Sequence, residues 1–462
     1  MIQTTKEGAL YRIGCGAGFS GDRIDAPQAV VAAIAAGGGG AIIFETLGER
    51  TLALGHIARR QDPSKGYEPR LKDLLEPILH VCISAGITIV GNFGQANPPA
   101  AAALIQQIAD RLALGTLRIA IVSGDDLTDK VDLAVTERWE GDRRLPPIDG
   151  EIIAINAYIG ALPIAEAIKV GAQVVVTGRV ADPALALGPL LAHFGWDWTD
   201  LDRLAAGTLV GHLLECGSQV TGGFFADPGF KDVPDMADIG FPIAEVEADG
   251  SFVITKPEGT GGVVDLRTVK EQLLYEIHDP AAYLTPDVTL DITGVQLAQV
   301  GKDRVRVTGA RGRPAPNTLK ATIGYYGDWL GEAEISYAGP NALARAHLAV
   351  ETITARLARR GLTLRHRADI IGAVSAFDNE GGHLSLGYTD AGSGDYRVRF
   401  AFGSACKRDV EHAVQEVNAL YCCGPAGGGG VRQSVRPRVR TVSHLVPRHL
   451  VRPAFHFFGE ES

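Results

Sequence analysis

Residues 173–183 read QVVVTGRVADP. A glutamine and three valines make a short, continuously apolar run. A threonine and a glycine then stop it, and an arginine and an aspartate follow before Pro183. A run of this length bounded by turn residues reads as a fully buried strand, Gln173–Thr177. Proline at the start of the next Ala/Leu-rich run reads as the first turn of a helix, Pro183–Phe194. The stretch is thus a buried strand, a polar loop and a helix.

The same unit recurs through the first half of the chain. Strands are expected at Tyr11–Gly14, Ala41–Phe44, Thr88–Gly91, Arg118–Val122 and Ile152–Asn156. Helices are expected at Ala26–Ala36, Arg70–Ala85, Pro98–Leu114 and Leu162–Val170. Strands alternating with helices imply right-handed crossovers and a parallel sheet. Continuously apolar strands agree, because parallel sheets are covered on both faces. The fold class expected is therefore α/β: a Rossmann-like, mostly parallel N-terminal domain over residues 1–286. A smaller α+β C-terminal domain, 287–462, would carry a glycine-rich loop and a basic tail. A TIM-like barrel is the alternative, but it needs eight strand–helix units and only six strands stand out.

In a parallel sheet all strand C-terminal ends share one edge, and open sheets bind ligands there. Here each expected strand empties into a polar or glycine-rich loop. The opposite loops, such as Gly115-Thr116, are short and plain. Residues 14–23, GCGAGFSGDR, contain Gly16-x-Gly18-x-x-Gly21. The spacing matches a dinucleotide loop in letters, but Asp22 would repel a pyrophosphate. A tight turn and an anion or carbonyl site both fit, with Cys15, Gly16 and Gly18 as candidate contacts. Glu45 ends the second strand. Burial there would raise its pKa and suit acid/base work, against an ion pair with Arg50 as the plainer reading. Asn92 and Gln95 lie in GNFGQANPP as neutral ligand contacts or turn formers. Asp125 stands beside Asp126, for substrate or for a helix cap. Arg179 could grip a carboxylate or phosphate, or pair with Asp182.

Beyond this half, His212 and Glu215 share a helix face at i, i+3, and Cys216 and Gln219 precede more glycines. Two metal ligands could sit at that spacing, but a lone H-x-x-E is weak and no metal is expected. Cys216 is a candidate nucleophile or a buried thiol. Glu276 and His278 in YEIHDP form a candidate acid/base group or a junction turn. GPAGGGGVR at 424–432 adds Gly428 to the contacts. Five further arginines follow it, at 436, 438, 440, 448 and 452, suggesting an anion partner or a subunit contact.

Net charge is −10, which sets nucleic-acid binding aside. No apolar run reaches a membrane span, and the N-terminus lacks a signal-peptide pattern, so a cytoplasmic protein is expected. Six cysteines without C-x-x-C spacing read as reduced thiols.

The chain resembles the AtuA family of acyclic terpene utilisation proteins. The resemblance rests on RIGCGAGFSGDR, FETL, GNFGQANP, GRVADPALALGPL, HLLECGSQVTGGFFADPGFKDVPD, YEIHDPAAYLTPDV and GPAGGGGVR. It implies bacterial breakdown of citronellol- and geraniol-type compounds through branched acyl-CoA intermediates. The expected function is a lyase or hydratase using carboxylate and histidine acid/base catalysis. A hydrolase of an acyl-CoA or lactone, or a non-catalytic metabolite-binding or assembly subunit, are the alternatives. No cofactor is expected. The expected partner is a small molecule, including a CoA thioester, in a homo-oligomer.

Overall fold

The computed structural model describes residues 10–139, 147–373 and 394–460. It divides into two compact units. The first comprises Met1–Leu145, Ile153–Gly324 and Thr441–Ser462; the second comprises Pro146–Ile152 and Tyr325–Arg440. The division expected near Pro286 falls inside the first unit.

A ten-stranded sheet organises the first unit. Its middle five strands, in order, are Tyr11–Ala17, Gly40–Phe44, Thr88–Gly91, Val174–Val176 and Ile119–Ser123. They run parallel. Ile13, Ile42, Ile43, Val90, Ala120 and Val175 have no exposed surface, as strands covered on both faces require. Outside Tyr11–Ala17, four strands add antiparallel: Ile243–Val246, Phe252–Thr255, Arg304–Thr308 and Gln296–Gly301. Ala454–Phe457 adds antiparallel on the other edge. The sheet is therefore mixed rather than mostly parallel, which corrects the expectation. The reason is connection length. Residues 247–251 join two neighbouring strands through a turn closed by Glu247 N–H donating to Ser251 O at 2.8 Å. So short a link permits only an antiparallel pair.

The expected strand Ile152–Asn156 forms, as Ile152–Ala157, but it lies outside the large sheet and pairs with Thr318–Ala338. The edge it would have joined, beside Ile119–Ser123, is taken by Ala454–Phe457. The helices arise where the pattern placed them, with one break. Arg70–Ala85 splits into Leu71–Leu75 and Leu79–Ala85 because Pro77 stands between. Pro98–Arg111 is capped by Asn97, whose Oδ1 accepts from Ala100 N–H at 3.4 Å.

The second unit is antiparallel. Arg365–Ile371 pairs with Asp395–Ser404, which pairs in turn with residues 329–338 of the long strand Thr318–Ala338. Helices Ala342–Arg359 and Lys407–Cys423 contribute Ile353, Leu357, Val410 and Val417 to a core with Ile335, Tyr337, Val398 and Phe400. The sequence also predicts a strand at Asp369–Ala376, of which residues 374–376 lie outside the described residues.

Candidate functional site

The C-terminal ends of three of the five parallel strands in the first unit border a cavity of about 780 Å³. Gly18 enters it just after Tyr11–Ala17, Glu45 just after Gly40–Phe44, and Arg179 and Asp182 after Val174–Val176. Tyr158 follows Ile152–Ala157. Segments holding Glu215–Gln219, Tyr275–His278, Tyr283–Pro286 and Thr318–Lys320 complete the wall.

Glu45 lines this cavity and is 9% exposed. Its Oε1 accepts from Leu47 N–H at 2.8 Å and from Asn92 Nδ2 at 2.9 Å. Those bonds favour the ionised form. Burial outweighs them, and the Asp182 carboxylate adds to it, so the Glu45 carboxyl is pushed up to about 8. At neutral pH it keeps its proton.

Arg179 is 1% exposed and is the largest fully buried side chain of the described residues. Its guanidinium is spent inside the fold: Nε donates to Val180 O at 2.8 Å, while the other nitrogens donate to Leu47 O and Asp182 Oδ1. Its backbone N–H donates to Asp125 Oδ2 at 2.8 Å. The pairing with Asp182 ties the loop to itself, and three of the five guanidinium N–H donors are engaged. Burial raises the Asp182 carboxyl, with Arg179 pulling the other way. The guanidinium stands 4.4 Å from the Tyr158 ring centroid, and the Lys320 ammonium 4.7 Å from it. Tyr158 O–H donates to Glu49 Oε1 at 2.6 Å, and Lys320 Nζ reaches the same oxygen at 3.0 Å. Burial opposes ionisation of Glu49, but Lys320 and the phenol bring it down to about 2. Glu49 is thus a carboxylate and Glu45 a carboxylic acid, four residues apart in sequence.

Glu215 lines another wall. Its Oε1 lies 3.3 Å from His212 Nδ1, and His212 Nε2 lies 3.0 Å from the Gln272 carbonyl. A carbonyl only accepts, so Nε2 carries the imidazole hydrogen and Nδ1 is the acceptor. Burial lowers His212 to about 4 and raises Glu215 well above the carboxylate range. Glu215 then donates to His212, as an uncharged pair. The Cys216 thiol beside it is pushed up by burial and by the Glu215 carboxyl, which works against a thiolate nucleophile. Gln219, Glu276 and His278 also line the cavity, the last two exposed. Among the described residues no group of three or more His, Cys, Asp and Glu is arranged to hold a metal ion.

A family model described as acyclic terpene utilisation family protein AtuA matches residues 11–457. The chain belongs to the acyclic terpene utilisation family. Membership implies a role in acyclic terpene utilisation. Neither the curated proteins nor the solved structures contain a match to it.

Several residues singled out in this AtuA-family sequence lie off the cavity. Cys15 is wholly buried in its strand, its Sγ donating to Ala17 O at 3.2 Å, and burial raises its thiol. A Cβ on Gly16 would meet the Phe44 ring at 2.5 Å, so that glycine serves packing. Within GCGAGFSGDR, Asp22 Oδ2 accepts from Gly18 N–H at 2.8 Å and Oδ1 from Arg23 N–H at 2.8 Å. The loop's own carboxylate fills the place a phosphate would take. Asn92 is fully buried, Oδ1 on Thr46 N–H at 2.7 Å, so it orients Glu45 from behind.

Gln95 and Asp125 border a smaller cavity of about 170 Å³ with His56 and Asn156. Asp125, raised to about 6 by burial, holds Asn156 Nδ2 at 3.0 Å and the Arg179 backbone. Gly428 belongs to the second unit, against Ile335 and Tyr337. Three of the tail arginines meet acids of that unit: Arg436 on Glu332, and Arg438 and Arg440 on Asp328. Sequence reasoning missed Glu49, Tyr158, Lys320 and Tyr283. Tyr158 does stand in a strand-end loop, and Lys320 lies on Thr318–Ala338, far along the chain from the parallel strands.

Proposed function

We propose that the chain is an enzyme of acyclic terpenoid or branched acyl-CoA breakdown, a lyase or hydratase in which Glu45 moves the proton. The observation that carries the reading is a cavity-lining carboxyl whose proton is held to about pH 8, within reach of working pH. Phe19, Leu47, Trp139, Phe224 and Leu319 supply apolar wall for a branched acyl chain. Lys320 supplies positive charge toward an acyl carbonyl. The five parallel strands act as a Rossmann-like core, whose ligands sit outside the strands' carboxyl ends. In the acid state Glu45 gives its proton to a departing hydroxyl or a developing enolate carbon; the carboxylate left behind takes one back. Asn92 keeps the carboxyl aimed, and Asn92 and Leu47 stabilise the charge it then bears.

A non-catalytic binding role is favoured by one observation: the loop N–H groups and the Arg179 fork, which would steady an oxyanion, are already engaged by Asp22, Leu47 and Asp182. One experiment separates the two. Purified protein is incubated with acyclic terpenoid acyl-CoA thioesters and products are followed by mass spectrometry. The proposal expects turnover in the wild type and at least ~100-fold less in Glu45→Gln. Saturable binding without conversion, or equal rates in both proteins, would refute it.

A further inference from the structure

We infer that Lys320 forms a subsite in the cavity wall for the oxygen of an uncharged carbonyl group, with Glu49 and Tyr158 as the residues that position it. The inference rests on the cavity being the substrate site and deepens that reading by naming the ligand group. Lys320, Glu49 and Tyr158 all line the cavity. The Lys320 and Glu49 side chains are 40% and 39% exposed, so a ligand can reach them.

The three residues are tied at both ends. Tyr158 N–H donates to Lys320 O at 2.8 Å, which sets the two residues side by side. At the tips, Lys320 Nζ donates to Glu49 Oε1 at 3.0 Å and stands 4.7 Å from the Tyr158 ring centroid. Tyr158 O–H donates to the same Glu49 oxygen at 2.6 Å. Burial pushes the phenol up to about 12, so it keeps that hydrogen. An ammonium has three N–H donors, and Glu49 takes one. Because the groups that hold the ammonium themselves line the cavity, the other donors lie at its wall. Arg179, at 1% exposure, offers the ligand no comparable contact.

The charges around Lys320 decide what kind of oxygen fits. The groups that face it are Glu49, Tyr158 and the Arg179–Asp182 pair. Burial opposes the charged form of Lys320, but Tyr158 and Glu49 outweigh it and hold the ammonium above the usual lysine range. Glu49 already balances Lys320, and Asp182 balances Arg179. A ligand carboxylate on Lys320 would stand beside the ionised Glu49, and like charges at contact range repel. An uncharged carbonyl oxygen accepts the N–H without that repulsion.

The probes are a branched methyl ketone, the alkene in which a methylene group replaces its oxygen, and the carboxylic acid of the same chain. Binding is read by a titration of tryptophan fluorescence, since Trp139 lines the cavity. At pH 7 the wild type is expected to bind the ketone about tenfold more tightly than the alkene, the worth of one hydrogen bond from a charged donor. The acid gains nothing over the alkene, and Lys320→Met binds ketone and alkene alike. Glu49→Gln keeps the lysine and removes the carboxylate that holds its charge. Its ketone preference is expected to disappear at a lower pH than in the wild type, because the ammonium gives up its proton sooner. Its affinity for the acid rises, because the repelling charge is gone.

Equal binding of ketone and alkene by the wild type would overturn the subsite, and so would an acid bound more tightly than the ketone. A Glu49→Gln variant that weakens all three probes alike, with the alkaline loss at its wild-type pH, would overturn the positioning role. Where that variant does not fold, Tyr158→Phe takes its place. It keeps the ring beside Lys320, loses the bond to Glu49 and is expected to lower the ketone preference by about threefold; an unchanged preference would overturn the positioning role. Failure of every probe to bind the wild type would overturn the cavity reading along with the subsite. Failure of the proton-transfer reading leaves these affinities unchanged.

Discussion

A carboxyl at the end of an apolar strand holds its proton where a surface glutamate has lost it. Glu45 shows the balance: two hydrogen bonds pull its pKa down, and burial pushes it further up. The consequence for stability has a definite sign. The folded pKa lies above the unfolded value of ~4.3, so the native state binds more protons between about pH 4.5 and 8. The contribution of Glu45 is present below that window and is lost as pH rises through it. Asp125, at about 6, and Glu215 act in the same direction. Glu45→Gln removes one titrating proton. Its stability should fall less steeply from pH 5 to 8 than that of the wild type, by up to about 1.4 kcal/mol per pH unit. Urea unfolding at several pH values measures this; parallel slopes would show that Glu45 titrates like an exposed carboxyl. That a carboxyl stood here was readable from Ile42-Ile43-Phe44 before it. That Asn92 would aim it from behind was not, because 47 residues separate the two partners.

At the scale of elements, the site is made by loops that leave strand ends and touch one another. Gly18 makes one of these contacts. A Cβ there would stand 2.4 Å from the Cys216 carbonyl carbon and 2.5 Å from Gly217 N, backbone atoms that cannot rotate away. Gly18→Ala should cost about 1–3 kcal/mol and weaken ligand binding, because the segment carrying Glu215 and Cys216 must shift. Calorimetric melting and the fluorescence titration check it; unchanged stability with unchanged affinity would mean the two loops are not in contact. The convergence of these loops was legible, since parallel strands deliver their C-terminal ends to one edge. The partner of Gly18 was not, because Cys216-Gly217 lies about 200 residues away and no periodicity links them. Pro77 was in plain view, yet the helical run around it read as one element rather than two.

At the scale of the whole molecule, alternation of strands and helices located the parallel core but not its flanks. Hairpins such as Ile243–Val246 with Phe252–Thr255 are carried by a short link, and their apolar residues lack the helix between them that marks a crossover. The C-terminal strand Ala454–Phe457 pairs with Ile119–Ser123, more than 300 residues earlier, and so takes the edge expected for Ile152–Asn156. The tail arginines read as an excess of charge until their partners in Thr318–Ala338, Asp328 and Glu332, were placed beside them. The family assignment spans residues 11–457, and the described residues include no helix long and apolar enough to cross a membrane. The central claim is that substrate occupies the strand-end cavity of the first unit, against Glu45. A crystal structure with a non-hydrolysable thioether analogue of a branched acyl-CoA tests it most directly. The account predicts the acyl chain between Phe19, Trp139 and Phe224, its carbonyl side toward Glu45 and Lys320. An analogue bound with its acyl group anywhere outside that cavity would contradict it.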